Sequence, residues 1–433
     1  MFVPQPAFVA YRRDSERLPH APAVEGLLVG VLTFARLFES IAAQATASRG
    51  EPEAEPGDAP DLPLDVAHEQ TVRTLVYEHE LLGDATRGGQ IPARVRTFAE
   101  LGALTRRIAN RAEQAGALDL ANSLLFELER VSDRLPAMER GRVLAQRARV
   151  ARKANAHEAA LELYKRVATL GRTLDSGELR ARARIGFGVL AQFRGNLPLA
   201  ARHFLTAARD AKRAGAVDVL RLAHYGQMSI AARRGDFSSA LVHGWHAFRD
   251  AVGNSEAEAD MLANLAQLAF DVGRTDAALA GFTAALARRP GPRIALPTLG
   301  GAARAAATLG RGDLLERYAR EIDAYCTDER FAYSIASALL ELALALSSQD
   351  IAAAHDRVTA GLLLTAKHGF HEVDFKLREL GEQLAAGSRR STHADPLHVA
   401  PRGETVLRDL IREAEAGYME QQPRGGRAAM AVH

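Results

Sequence analysis

The chain has 433 residues, enough to bury a large core. Its 55 basic and 53 acidic residues nearly cancel, so global charge selects neither nucleic acid nor an acidic substrate. A single cysteine, Cys326, excludes an internal disulfide framework and a cysteine zinc site. No signal-peptide pattern opens the sequence, and no apolar run reaches the roughly 20 residues that span a bilayer. We therefore expect a cytoplasmic protein without a membrane span.

Two helical patterns separated by an acidic stretch occupy the N-terminal part of the chain. Residues 1–45 contain one amphipathic pattern, at 22–44, which predicts a lone helix able to dock on another surface. Residues 46–63 are acidic and proline-rich, which predicts a flexible linker. Residues 64–97 contain a second helical pattern, interpreted as an N-terminal capping helix for the segment that follows.

A unit of nearly 40 residues recurs from residue 98 to residue 370. Each copy has an alanine-rich helix, a small turn residue, and a second helix with a small residue and an aromatic at fixed distances from the turn. Successive turns lie 37 to 40 residues apart. Such a period indicates a repeat architecture. The two clearest copies contain Gly273, Ala278, Phe282, Ala285 and Pro290, and Gly195, Ala200, Phe204 and Ala207; weaker copies centre on Gly116, Asn155, Gly235, Gly310 and residues 349–350.

These spacings resemble the tetratricopeptide repeat, whose usual unit is 34 residues. The longer unit is similar to repeats in the sensor arms of bacterial transcription regulators. The resemblance implies an all-α fold, a right-handed α-solenoid of about seven antiparallel helix pairs. In addition, Asp236, Asp276 and Asp313 stand where an N-cap would open the second helix of a pair.

The C-terminal part of the chain, from residue 371 onward, lies outside the repeats. Residues 371–386 predict a polar capping helix, because the last repeat of a solenoid otherwise leaves its apolar face in water. Residues 387–433 predict a linker, a short helix over 404–418 and a disordered tail.

Motifs for catalysis, metals and DNA are missing from the sequence. His243 and His246 lie three apart on one predicted helix, but a metal site needs three or more converging ligands. No phosphate-binding loop, zinc-protease motif or nucleophile elbow occurs. The 22–44 helix carries only Arg36 as a base, too little for direct reading of DNA. We expect neither enzymatic activity, nor a cofactor or metal, nor direct nucleic-acid binding.

Partner binding is expected on the concave face, which the resemblance assigns to the first helix of each pair. Basic residues along it would favour an acidic peptide, and amide groups can hold a peptide backbone. The alternatives to ligand binding are that the charged residues only face solvent and that the tyrosine only packs against its neighbours. The residues selected are Arg142, Arg149, Arg152, Lys153, Arg182, Tyr225, Asn264 and Gln267.

The sequence thus predicts a non-catalytic scaffold that binds a peptide-like segment of a partner protein in this groove. The alternative is a signal-responsive regulatory arm linked to transcription regulation, lacking its own DNA-binding domain. Two further possibilities stay open: self-association through the 22–44 helix, and intramolecular plugging of the groove by the acidic residues 51–61.

Overall fold

The computed structural model describes residues 97–114, 118–327, 331–386 and 397–421. Within these ranges the chain forms helices joined by short turns and contains no β-strand. It divides into two compact units, residues 1–219 and 220–433, named unit 1 and unit 2 and described separately below. The predicted helix at 22–44, the acidic linker 46–63, residues 64–96 of the predicted capping region and the predicted tail beyond residue 421 lie outside the described residues.

Unit 1 contains six described helices in three consecutive pairs. Each helix packs on the next along the chain, with one 3₁₀ turn, Ser132–Arg134, between the first and second pairs. The helices are α1 (Phe98–Gln114), α2 (Leu118–Arg130), α3 (Ala137–Lys153), α4 (His157–Thr173), α5 (Gly177–Phe193) and α6 (Leu197–Arg213).

Unit 2 continues the same alternation of first and second helices. Helix α7 begins just before the unit boundary, and the last two helices, α15 and α16, stand outside the pairs. The helices are α7 (Val217–Arg233), α8 (Phe237–Arg249), α9 (Ser255–Asp271), α10 (Thr275–Ala287), α11 (Pro292–Thr308), α12 (Gly312–Asp323), α13 (Ala332–Leu346), α14 (Ile351–His368), α15 (His371–Ala385) and α16 (Pro401–Gln421). Seven pairs of tetratricopeptide-like helices among the described residues confirm the predicted fold class.

Left-handed residues end the first helix of most pairs, as the turn glycines predicted. Gly195 has φ +73°, its amide donates to the carbonyl of Gln192, and the Asn196 amide donates to the carbonyl of Ala191. Glycine takes this conformation without the steric cost a Cβ brings. The turns between pairs also use it, which the motif did not reveal. Positive φ occurs there at Asp175, Gly215, Gly253 and Arg289.

The predicted N-caps are only partly right. The Asp236 carboxylate accepts the Ser239 amide at 3.0 Å, as expected for an N-cap. For Asp276 and Asp313 the prediction is wrong, because Arg274 and Arg311 occupy the N-cap positions. Both aspartates lie instead in the first turn, where a negative charge interacts favourably with the helix dipole.

The core of unit 1 depends on small residues that face aromatic rings. A Cβ added to Gly186 of α5 would stand 2.3 Å from the ring of Tyr164 on α4. At Gly188 it would stand 2.9 Å from the ring of Phe204 on α6. Both rings are almost fully buried, as is Ala200. The glycines therefore let neighbouring helices approach closely around the aromatic side chains.

Unit 2 has the same arrangement, in which a buried aromatic ring packs against a glycine of a neighbouring helix. Phe282 of α10 is 2% exposed, and its ring lies 2.4 Å from the position a Cβ on Gly301 of α11 would take. The motif residues Ala278 and Ala285 are fully buried beside it. The aromatic of one pair thus fills the space toward the next pair, as the repeat pattern predicts.

Helices α15 and α16 close the described chain in different ways. Helix α15 packs on α14 through buried apolar residues that include Val373 and Leu377, in the place expected for a cap. Helix α16 is longer than the predicted 404–418 helix and packs along the side of α8 and α10. Nothing in the sequence had indicated that contact.

Candidate functional site

The first helices of unit 1, α1, α3 and α5, carry a network of arginine, lysine and glutamate side chains. We call this the first-helix face of unit 1. Among the described residues the network joins five cations to three carboxylates. The cations are Arg106, Arg142, Arg149, Lys153 and Arg182, and the carboxylates are Glu113, Glu139 and Glu178.

Glu113 is the buried centre of one half of the network. Its side chain is 2% exposed and accepts Arg149 Nη2 and Lys153 Nζ, each at 2.7 Å. Arg149 also donates to Asn110 Oδ1 at 2.8 Å. Burial alone would raise the pKa of the Glu113 carboxyl, but the two cations outweigh it and hold the pKa below its ordinary value. Arg149 and Lys153 are thereby fixed in place.

Glu178 is the centre of the other half. It accepts two N–H bonds from Arg142, at 2.8 and 3.0 Å, and one from Arg182 at 2.9 Å. Burial works to raise its pKa, but the two arginines prevail and lower the pKa to about 2. Arg142 reaches on to Glu139, which also accepts Arg106 from α1. The order along this half is Arg–Glu–Arg–Glu–Arg across three successive first helices.

Positive charge is in surplus where the two halves meet. The side chain of Arg182 is 26% exposed, and burial is the main cause that lowers its pKa. The neighbouring positive charges of Arg106 and Arg149 lower that pKa further, even though Glu178 opposes the shift. Like charges held close together in a partly desolvated place attract an anion. Guanidinium groups in fixed orientations suit a carboxylate in particular.

The structure brings together four of the five basic residues that the sequence selected. Arg142, Arg149, Lys153 and Arg182 all belong to the network. Arg152 forms none of these ion pairs; it lies near the buried hydroxyl of Tyr164, where its charge opposes the rise in the Tyr164 pKa that burial causes.

The three polar residues selected in unit 2 lie on its first helices, α7 and α9. Tyr225 is half-buried near Asp260, and burial is the main cause that raises its pKa to about 12. Asn264 donates to the carbonyl oxygen of Asp260 at 2.7 Å, and Gln267 donates to the carboxylate of Asp271 at 2.8 Å. One N–H of each side-chain amide is therefore already hydrogen-bonded within its own helix.

Sequence reasoning missed the three glutamates and Arg106. The signal that would have found them is the repeat period itself. Arg142 pairs with a glutamate 36 residues later, and Arg149 with one 36 residues earlier. Residues about one period apart on successive first helices are neighbours, so each cation on α3 could have been matched to a carboxylate on α1 or α5.

His243 and His246, noted in the sequence, form a separate cluster with His224 in unit 2. His224 Nδ1 lies 2.8 Å from Asp250 Oδ2, and the rings of His224 and His246 are 5.4 Å apart. Burial is the largest cause that lowers the pKa of His243, and the charges of its two histidine neighbours add to it. No group of three ligands suited to a metal ion exists among the described residues.

The described helices are each too short or too polar to cross a membrane.

Comparisons with known proteins give structural likeness only. No protein-family model and no curated protein matches the sequence. A solved structure of a Rap protein complexed with Competence and Sporulation Factor aligns at 14% identity and a TM-score of 0.42, over 84% of this chain and 99% of that one.

Two further solved structures align less closely. A signal-transduction ATPase with numerous domains and a tetratricopeptide repeat sensor, from Pyrococcus horikoshii, aligns at 13% identity and a TM-score of 0.35. That alignment covers 95% of this chain and 55% of the ATPase, so the chain spans about half of its length. A circular tandem repeat protein aligns at 16% identity and a TM-score of 0.17, over 91% and 98% of the two chains. By its own helix pairs, turn residues and buried aromatics, the described part of this chain is a tetratricopeptide-like helical repeat protein.

Proposed function

We propose that the chain is a non-catalytic protein-interaction module whose first-helix face of unit 1 binds an acidic, peptide-like segment of a partner. The observation that carries the proposal is the surplus of cations in the network, where five basic groups share three carboxylates. A ligand carboxylate would relieve the mutual repulsion of Arg106, Arg149 and Arg182.

The geometry of the array favours an extended chain as the ligand. Packed helices lie about 8–10 Å apart, so cations on α1, α3 and α5 recur at that interval. An extended peptide advances about 3.3 Å per residue, so every third residue would meet a new first helix. We therefore expect acidic side chains spaced three residues apart to bind best.

A probe with this spacing exists in the chain's own sequence. Residues 51–61 contain Glu55, Asp58 and Asp61 at three-residue intervals. A fluorescently labelled peptide of residues 51–61 would be titrated by anisotropy into the full chain and into a chain lacking residues 46–62. Tighter binding after the deletion is expected if the internal segment occupies the same face. An analogue with Gln and Asn in place of the acidic residues controls for charge.

Removing one cation from the network should weaken this binding selectively. Arg142→Gln and Arg149→Gln are each expected to raise the Kd by about 10-fold or more, because a charge-assisted hydrogen bond contributes about 1.5–3 kcal/mol. Arg166→Gln is the matched control, since Arg166 on the second helix α4 pairs with Glu129 away from this face. Equal weakening by Arg166→Gln, or no saturable binding to either form of the chain, would contradict the proposal.

A further inference from the structure

The C-terminal segment, residues 397–421, docks on the second helices of unit 2. The amide of Ala400 donates to Ser238 Oγ at the start of α8, and Glu404 meets Arg274 at the start of α10. Farther along, Glu413 meets Arg288 just after the end of α10. The start of α16 lies at the starts of α8 and α10, and later residues of α16 lie at the end of α10. Helix α16 therefore runs in the same direction as α8 and α10, in the groove between them.

The floor of this groove is apolar. Val406, Leu407 and Leu410 of α16 are each 5% exposed or less, as is Val399 just before it. They join the core cluster that includes Leu241 of α8.

Two glycines allow α16 to approach the groove closely. A Cβ on Gly281 of α10 would stand 3.0 Å from Leu410, and one on Gly403 of α16 would stand 3.3 Å from the Cα of Ser238. The contact is therefore as close as packing between helices of the repeats themselves.

The rim of the groove is basic and matched by acidic groups on α16. Arg274 Nη2 lies 2.6 Å from Glu404, and Arg288 Nη2 lies 2.5 Å from Glu413. Arg288 is held independently of α16. It donates to Glu258 of α9 at 2.8 Å and lies over the ring of Phe248. One of the two arginines is thus held in position by contacts that do not involve α16.

Helix α16 also stands outside the succession of helix pairs. The last pair of the array is covered by α15, so α16 is not needed as a cap. It attaches instead to the side of the fourth and fifth pairs, after the 15 residues that separate the end of α15 at Ala385 from the start of α16 at Pro401.

We propose that the groove between α8 and α10 is a docking site for an amphipathic helix of a partner protein, and that α16 occupies it in cis as a competitor. This groove lies on second helices of unit 2 and binds a helix, whereas the face proposed above lies on first helices of unit 1 and binds an extended peptide. The present proposal does not depend on the earlier one. The partner helix has the pattern that α16 displays. From a first apolar residue at i, a small residue stands at i+4, apolar residues at i+7, i+8 and i+11, and carboxylates at i+5 and i+14.

Because α16 competes with a partner helix for the same groove, it limits which helices can bind there. A segment tethered by a short connection has an effective concentration in the millimolar range, so α16 excludes weak ligands from the groove. A partner helix must bind more tightly than α16 or act when α16 is displaced. The groove therefore stays occupied by α16 until a helix that binds more tightly is present.

The test uses the full chain with α16 displaced. Leu407→Glu together with Leu410→Glu places two charges against the apolar floor and should release α16, while circular dichroism and the cooperative unfolding of the repeats stay intact. A labelled synthetic peptide of residues 397–421 is the probe. We expect saturable binding to the double variant and binding at least about 10-fold weaker to the unmodified chain.

A charge reversal tests the register of the docked helix. Arg274→Glu, added to the double variant, should weaken peptide binding, and a peptide carrying Glu404→Arg should restore it. Arg311→Glu is the matched control, because Arg311 occupies the same N-cap position in the next pair, where it pairs with Asp313.

Three results would overturn the proposal. The first is failure of the folded double variant to bind the peptide, and the second is equal binding by the unmodified chain. The third is a dimer of the unmodified chain that the double substitution abolishes, which would assign the groove to exchange of α16 between two copies.

Discussion

At the scale of single residues, the unit 1 network shows how charge can be buried on a helical array. Glu113 is almost inaccessible to water, a position that would be costly for an unpaired carboxylate. Arg149 and Lys153 compensate for it, and Glu178 is compensated in the same way by two arginines. Because each carboxylate is compensated by its cations, the network fixes the orientation of the basic groups.

The first prediction concerns the acid stability that Glu178 confers. Its pKa is about 2 in the folded chain, against an ordinary value of 4.5. As pH falls, the unfolded chain takes up this proton first, so the stabilisation is complete above pH 4.5 and is lost as pH approaches 2. In urea unfolding at stepped pH, the stability difference between the original chain and Glu178→Gln should shrink over this window.

The control for this measurement is Glu162→Gln, which removes an exposed ion pair with Lys165 on α4. Exposed pairs contribute about 0–1 kcal/mol, so this variant should follow the original chain at each pH. The prediction fails if Glu178→Gln also runs parallel to the original chain from pH 7 to pH 3.

At the scale of elements, glycine has two separate roles in the helix pairs. At Gly195 it provides a left-handed backbone, and no atom lies within 4 Å of the place a Cβ would take. At Gly186 it provides space, because the Tyr164 ring lies where a side chain would be. The motif marks the first role by its turn position, whereas the second depends on which ring a neighbouring helix supplies.

The second prediction tests both roles by Gly→Ala substitution, with an open glycine position as the control. Gly195→Ala should cost about 1 kcal/mol through left-handed backbone strain. Gly186→Ala should cost about 1–3 kcal/mol through overpacking against Tyr164, reduced by up to about 1 kcal/mol of helix propensity. Gly312→Ala, at an open position at the start of α12, should cost nothing. Urea unfolding of each variant measures these differences, and a destabilising Gly312→Ala would refute the assignment.

At the scale of the whole molecule, the described residues form a buried apolar cluster within each of the two units. One buried cluster in unit 1 surrounds Tyr164 and Leu179, and a larger one in unit 2 surrounds Phe282. In a repeat array each pair draws its stability mainly from its neighbours. Loss of a core residue in one unit should therefore be felt near that residue.

The third prediction is that Phe282→Ala acts locally. Deleting a buried aromatic ring costs about 3–5 kcal/mol, and this ring packs against Gly301 of the next pair. Hydrogen exchange should accelerate in α9, α10 and α11 and remain unchanged in α3 and α4. Phe375→Ala, at a largely exposed position on α15, is the control and should alter neither region. A uniform acceleration in both units would contradict the prediction.

The sequence by itself determined the helix pairs, the turns within them and the buried positions of the motif. These features follow from local periodicity and from what glycine and alanine permit, so Gly195, Phe204 and Phe282 could be placed correctly. The same local logic went wrong at Asp276 and Asp313, because a cap depends on the last residue before the helix and a shift of two positions removes it. Which glutamates pair with the basic residues of the unit 1 network follows from the packing of successive first helices, and the sequence carries only an indirect sign of it, a separation of about one repeat period. Tertiary structure alone decided that α16 lies between α8 and α10, because amphipathicity shows that a helix has an apolar face but not which surface will cover it.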